Sequence, residues 1–168
     1  IKNMVTIHKL NVNEGHMVFW KNKEIFNTYS KGYYVVTDSD IVPNTNCPSD
    51  FLLHFKTILE QHYNLSKVGF SLKIDDIPNS NTNKQKIINW ESKFWEVKDE
   101  NQNYIAPIDT TFALYKPNTF HIANAKFTAA RAWMAVVLKT GTAISSCFIN
   151  NGISVQPKII ASAPCSIN

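Results

Sequence analysis

Length, composition and charge place the chain among globular proteins and exclude several other classes. Its 168 residues suffice for one domain with a sizeable core, and 44% hydrophobic with 18% charged residues is ordinary for such a domain. No apolar run approaches the roughly 20 residues of a membrane helix, so no transmembrane segment is expected. The net charge of +4 lacks the dense basic clusters of a nucleic-acid surface, so no nucleic-acid partner is expected.

Acidic residues and cysteines are unevenly distributed. All 13 acidic residues lie at or before Asp109, which leaves residues 110–168 without an acid. The three cysteines lack metal-ligand spacing, and their odd number argues against a full disulfide framework, so we expect reduced thiols and a cytoplasmic location. The first four residues resemble neither a signal peptide nor an obvious start, so the chain is expected to begin inside a longer protein.

The first half of the chain has the pattern of a strand–helix–strand unit. Alternation predicts a strand over residues 4–10, helical spacing predicts a helix over about 17–27, and a β-prone run predicts a buried strand over 33–38. Such a unit has parallel strands and a right-handed crossover. A second helix is predicted over about 50–64, and a third strand over 68–74.

The second half continues this alternation and then changes character. A third helix is predicted over about 84–97 and a further strand over 110–115. Beyond residue 118 we predict a helix over about 126–138 and then short strands or coil. The expected fold class is therefore α/β, with an open, mostly parallel, Rossmann-like sheet flanked by helices.

The buried strand over 33–38 runs into two carboxylates, Asp38 and Asp40. Ligands in open α/β sheets bind at this end of a strand, and side chains two apart in an extended segment point to the same side. Two carboxylates without neighbouring Cys or His suit Mg²⁺ or Mn²⁺ rather than zinc. The alternative is a solvated Asp-Ser-Asp turn that merely ends the strand, and the motif alone does not decide between them.

Three more acids are candidates for the same site. Asp75 and Asp76 follow the third predicted strand, so they could border one cleft with the first pair if the two strands are near neighbours. Asp109 lies just before the strand over 110–115, where it is either a turn residue bonded to Thr110 or Thr111 or a general base.

An aromatic cluster lies on the third predicted helix. Such a stripe is mostly core, and Phe94 and Trp95 fit that reading. Trp90 falls off the stripe and could instead stack on a sugar or a base. His16, which follows Gly15, has the position of a structural residue in a loop or a first helical turn.

Six segments, in order and spacing, resemble the GT-A-fold, family-2-like glycosyltransferases. They are Asn13-Glu14-Gly15-His16, Phe19-Trp20, residues 34–43 with Thr37-Asp38-Ser39-Asp40, residues 67–78 with Ile74-Asp75-Asp76-Ile77-Pro78, Trp90-Glu91 with Phe94-Trp95, and residues 106–115 with Ile108-Asp109-Thr110-Thr111. The resemblance covers about residues 5–117 and is specific as a set, although no single motif is.

The resemblance implies a transferase that uses a nucleotide-sugar donor and a carbohydrate or glycolipid acceptor. It implies that Asp40 ligates Mn²⁺ or Mg²⁺ and that Asp38 faces the donor ribose or the metal, with Gly15 and His16 also on the donor side. The candidate for the base is Asp109, with Asp75 or Asp76 in reserve. Trp90, Glu91 and Trp95 would help to form the acceptor side. Peripheral contact with a membrane surface is compatible with this assignment.

The chain also departs from the family. The βαβ segment that usually precedes the strand at residue 5, and that supplies much of the nucleobase pocket, is not found here. Residues 127–133 resemble only loosely the Thr-Ala-Arg-His-Leu-Pro-Trp-like segment that the family commonly has after the strand over 110–115. Beyond residue 133 the sequence shows no pattern of the family. We therefore expect a partial GT-A-like core over residues 1–118 and a divergent, acid-free tail over 119–168.

Two other functions compete with the transferase. Haloacid-dehalogenase-like phosphatases also carry their aspartyl nucleophile in an Asp-x-Asp motif at the end of a strand. In that reading Asp75-Asp76 would be the metal-binding pair. Against it, Asp40 is followed by Ile41-Val42-Pro43, where that family prefers Gly-Thr. The second alternative is a sugar-binding or inactive fragment that uses the same cleft without turnover.

Overall fold

The computed structural model describes residues 6–13, 15–38, 41–43, 45–108 and 112–120, with residue 42 as backbone only. It also describes the backbone of four short segments, 126–129, 135–137, 146–150 and 156–158. Within these limits the chain combines helices with a mixed sheet, so the α/β class is confirmed.

The described residues form four α-helices: α1 (Val18–Lys21), α2 (Lys23–Tyr29), α3 (Phe51–Gln61) and α4 (Lys84–Glu91). The helix predicted over 17–27 is divided at Asn22, whose side chain accepts a hydrogen bond of 3.0 Å from the N–H of Ile25 and thereby caps α2. The helix predicted over 84–97 ends earlier, because α4 passes into a 3₁₀ turn at Ser92–Trp95.

Nine strands lie in the described part of the chain: β1 (Tyr34–Asp38), β2 (Ile41–Pro43), β3 (Leu65–Gly69), β4 (Tyr104–Ile105), β5 (Phe112–Tyr115), β6 (Lys126–Ala129), β7 (Ala135–Val137), β8 (Ser146–Asn150) and β9 (Gln156–Lys158). Seven of them form one sheet in the order β4-β6-β3-β5-β1-β8-β9, and β2 pairs with β7.

The centre of the sheet is antiparallel, which corrects the sequence-based expectation. β5 lies between β1 and β3 and runs antiparallel to both, so that Tyr115 stands opposite Tyr34 on one side and Lys67 on the other. Among the described pairs only β3–β6 is parallel. The open, mostly parallel sheet is therefore not shown, because a strand distant in sequence separates β1 from β3 and runs against them.

Both faces of the central strands are buried. Alternate residues of β1 enter different cores, since Tyr34 and Val36 point to one face and Val35 to the other. The first, here called the α1–α2 core, contains Val18, Phe19, Trp20, Ile25, Tyr29, Tyr34, Val36, Ile108, Ala113 and Tyr115. The second, the α3 core, contains Val35, Phe55, Ile58, Leu59, Leu65, Val68, Phe70, Phe112 and Leu114.

Three predicted elements are wrong in part or in whole. Residues 6–10 form no strand, and His8 Nε2 instead shares a 2.8 Å hydrogen bond with the Tyr29 hydroxyl. Because the predicted first strand is missing from residues 6–10, the parallel βαβ unit predicted for this region is wrong as well. The strand predicted over 68–74 lies earlier, at 65–69, where its backbone pairs with β5. The helix predicted over 126–138 is replaced at 126–129 and 135–137 by β6 and β7, because sheet pairing overrides the helix propensity of alanine.

Candidate functional site

Strand directions bring three chain segments to one edge of the central sheet. Because β1 and β3 are both antiparallel to β5, they run parallel to each other. The edge at which β1 ends at Asp38, β3 ends at Gly69 and β5 begins at Phe112 is called the carboxyl edge. Neighbouring strands lie about 4.8 Å apart, so the ends of β1 and β3 are about 10 Å apart, with the start of β5 between them.

Asp38 is the residue of the predicted metal pair that the structure describes. It is half-buried at the last position of β1, and its carbonyl accepts a 2.9 Å hydrogen bond from the hydroxyl of Thr37. Asp40, the second member, lies outside the described residues. Exposure rises along the strand towards this end, so Asp38 stands where the apolar interior meets the carboxyl edge.

Asp75 and Asp76 lie on the exposed segment that follows β3. Since β3 ends at Gly69, these acids come several residues after the strand rather than directly at its end. Lys73 Nζ lies 3.2 Å from a carboxylate oxygen of Asp76 and 3.6 Å from one of Asp75. The hydrogen bond to Asp76 is the main cause that raises the pKa of Lys73, so this lysine remains a cation that partly neutralises the two acids.

Asp109, the predicted base, lies outside the described residues, but the segments on both sides of it are described. Ile108 before it is 7% exposed and belongs to the α1–α2 core, and Phe112 after it opens β5 at the carboxyl edge. Asp109 therefore belongs to the short stretch between a core residue, Ile108, and the first residue of β5.

The predicted acceptor-side residues lie on α4 and the 3₁₀ turn after it. Trp90 is 56% exposed, and Lys93 Nζ lies 3.1 Å above its ring centroid, so a cation already occupies one face of the indole. Glu91 and Trp95 are half-buried. The Trp95 ring meets Tyr104 edge-on at 5.0 Å, and its buried Nε1 finds no hydrogen-bond acceptor among the described residues.

The predicted donor-side residues Gly15 and His16 are exposed in the 3₁₀ turn that leads into α1. Gly15 has a φ of +67°, a conformation that glycine adopts without strain. Its N–H donates a 2.9 Å hydrogen bond to the side chain of Asn13, which closes a tight turn. The sequence motif thus corresponds to a defined backbone feature in this part of the chain.

Sequence reasoning missed one residue near the candidate site, Lys67 on β3. Its side chain is fully buried, and Nζ donates to the carbonyl of Ile108 and, at 3.3 Å, to the hydroxyl of Tyr115. The signal was a lysine between apolar positions of a buried strand, a place that charged side chains seldom occupy.

No metal cluster or membrane helix in the described part of the chain, and no related protein, assigns a function to this site. Among the described residues, which include neither Asp40 nor Asp109, no group of three or more His, Cys, Asp or Glu side chains is placed to hold a metal. The described helices are all too short or too polar to cross a membrane. Comparisons with protein-family models, curated proteins and solved structures find no match.

Proposed function

We propose that the chain is the core of a glycosyltransferase that moves a sugar from a nucleotide-sugar donor to a hydroxyl of a carbohydrate or glycolipid acceptor. The observation that carries the proposal is the carboxyl edge, since β1 and β3 point the same way and β5 returns to that edge between them. This arrangement supports one site shared by the segments that contain Asp38, Asp75 and Asp109. Ligands of α/β sheets bind in such places.

In this proposal Asp38 and Asp40 hold Mn²⁺ or Mg²⁺. The half-buried carboxylate of Asp38 at the end of β1 is a hard oxygen donor of the kind that these ions prefer. When bound, the ion would act as a Lewis acid for charge that develops on the donor diphosphate. Asp38 also faces the donor ribose, and Gly15 and His16 contribute to the donor side.

The remaining roles follow from the reaction. The acceptor hydroxyl attacks the anomeric carbon, the bond from that carbon to the diphosphate oxygen breaks, and Asp109 takes the hydroxyl proton. Trp90, Glu91 and Trp95 contribute to acceptor binding, and a sugar that stacks on the face of Trp90 covered by Lys93 would have to displace this lysine. The proposal includes a GT-A fold for the transferase core, which lies within residues 1–118.

Isothermal titration with UDP and with GDP, with and without Mn²⁺, tests the proposal. We expect binding that requires the metal, and Asp40→Asn should abolish it because one carboxylate ligand is lost. The matched control is Asp50→Asn, because Asp50 is exposed before α3 and its side chain makes no capping hydrogen bond. Unchanged binding by Asp40→Asn would exclude Asp40 as the ligand.

A second variant separates binding from chemistry. Asp109→Asn should retain metal-dependent nucleotide binding and lose transfer, since an amide cannot accept the hydroxyl proton. Loss of nucleotide binding in this variant would contradict a role as base alone. Hydrolysis of a phosphate ester by the unmodified chain, without nucleotide binding, would favour the phosphatase instead. If the chain neither binds nucleotide nor hydrolyses a phosphate ester, the inactive fragment is favoured.

A further inference from the structure

Ser71 carries a buried hydroxyl group without a hydrogen-bond partner. The residue is 6% exposed, and its Oγ finds no partner in the described part of the chain. Buried polar groups in folded proteins nearly always have a partner, and an unpaired one destabilises the fold. A role in holding a ligand accounts for a hydroxyl of this kind.

Ser71 follows β3 at the carboxyl edge, on the boundary between core and surface. It is the last buried residue of the run that begins at Lys67, since Leu72 and Lys73 are half-buried and Asp75 is exposed. Ligand sites enclose most of the surface of the molecule they bind, so a binding hydroxyl is expected at the inner side of such a boundary.

The Ser71 side chain lies on the same face of the sheet as that of Asp38. Phe70 and Leu72, on either side of Ser71, both pack in the α3 core, so alternation along the chain directs Ser71 to the opposite face. Alternation along β1 directs Asp38 to that face as well, because Val36 belongs to the α1–α2 core.

Strand register places Ser71 and Asp38 at the same level of the sheet. Phe112 of β5 stands opposite Thr37 on one side, and on the other side its carbonyl accepts a 3.0 Å hydrogen bond from the N–H of Phe70. Asp38 and Ser71 each follow this row by one residue, on strands that are two strand spacings, or about 10 Å, apart. A sugar diphosphate is long enough to bridge this separation.

We propose that Ser71 binds the sugar of the nucleotide-sugar donor through its hydroxyl. This inference rests on the proposed function, in which the ion at Asp38 and Asp40 holds the donor diphosphate and the sugar is bonded to the second phosphate. A serine hydroxyl both donates and accepts a hydrogen bond, as a sugar hydroxyl does. A phosphate is matched instead by cations and N–H donors.

The test compares the binding of nucleotides with and without the sugar in Ser71→Ala and Ser66→Ala. Isothermal titration with Mn²⁺ uses UDP beside UDP-glucose and GDP beside GDP-mannose. Ser71→Ala should weaken binding of the nucleotide sugar about 10-fold, the effect of one lost hydrogen bond, and leave binding of the nucleotide alone within about twofold. Ser66→Ala should change neither, because Ser66 is half-buried at the end of β3 away from the carboxyl edge.

Thermal unfolding without ligand distinguishes a binding role of the hydroxyl from a structural one. Ser71→Ala should unfold at the same temperature as the unmodified chain or at a higher one, because the variant loses an unpaired buried polar group. A lower unfolding temperature would show that the hydroxyl has a partner within the folded protein, and it would overturn the inference.

The titrations also separate this inference from the proposed function. If the unmodified chain binds neither UDP nor GDP with Mn²⁺, the proposed function fails, and this inference fails with it. If the unmodified chain binds nucleotide and Ser71→Ala binds the nucleotide sugar as tightly as the unmodified chain does, the inference alone is overturned. An equal loss for nucleotide and nucleotide sugar would also overturn it, because the hydroxyl would then contact the nucleotide.

Discussion

Replacing Gly69 with alanine should destabilise the protein strongly, because β3 and β5 approach most closely at this residue. A Cβ atom at Gly69 would lie 2.1 Å from the Phe112 carbonyl oxygen, 2.8 Å from Cβ of Ala113 and 2.9 Å from Cα of Ala113. Ordinary van der Waals contact begins at about 3.4 Å, so the first of these distances is more than 1 Å too short. The obstructing atoms are mainly backbone, and the two strands must therefore separate.

The cost follows from two terms. Overpacking of a tight interior site costs about 1–3 kcal/mol. Separation of the strands also breaks the 3.0 Å hydrogen bond that the N–H of Phe70 donates to the Phe112 carbonyl, which adds about 1 kcal/mol. The expected loss is about 2–4 kcal/mol, a large fraction of the about 5–15 kcal/mol by which a domain of this kind is stable.

Urea denaturation followed by tryptophan emission, to which buried Trp20 contributes, measures this loss. Gly15→Ala is the control, because Gly15 has no atom within 4 Å of an added Cβ and only its φ of +67° opposes the substitution. That variant should lose about 1 kcal/mol. A loss below about 0.5 kcal/mol for Gly69→Ala would refute the close approach of β3 and β5 and, with it, the geometry of the carboxyl edge.

Two further predictions concern the cores on the two faces of the sheet. Phe55→Ala should lower the free energy of unfolding, measured by urea denaturation, by about 3–5 kcal/mol, because Phe55 is 0% exposed. Leu53→Ala on the same helix should change it by no more than about 0.5 kcal/mol, because Leu53 is 63% exposed. Equal losses in the two variants would contradict the assigned buried face of α3. Tyr34 should make the free energy of unfolding fall as pH rises above 10, because burial raises the pKa of its phenol above the ordinary 10.0, a shift that the hydrogen bond from Trp20 only partly opposes. The unfolded chain therefore loses this proton first, and Tyr34→Phe should flatten that part of the pH profile; an identical slope in both proteins would disprove the shift.

Much of the local structure could be predicted from residue periodicity. Helical spacing of apolar residues correctly indicated α1–α2, α3 and α4, and the continuous β-prone run correctly indicated a strand, β1, buried on both faces. These features depend on neighbours within a few residues, which a sequence displays directly. Where local propensity competes with pairing, as in the alanine-rich stretch over residues 123–138 that contains β6 and β7, the same reasoning gave the wrong element.

For the candidate site, the sequence alone determined the chemistry that is available: carboxylates after strands, an acid before β5, and aromatic residues on one helix. Only the tertiary structure decided that β5 separates β1 from β3 and that Lys67 reaches the Ile108 carbonyl. The physical reason is that strand order and buried hydrogen bonds join residues more than 40 positions apart, and their energy comes from packing and pairing that no local pattern records.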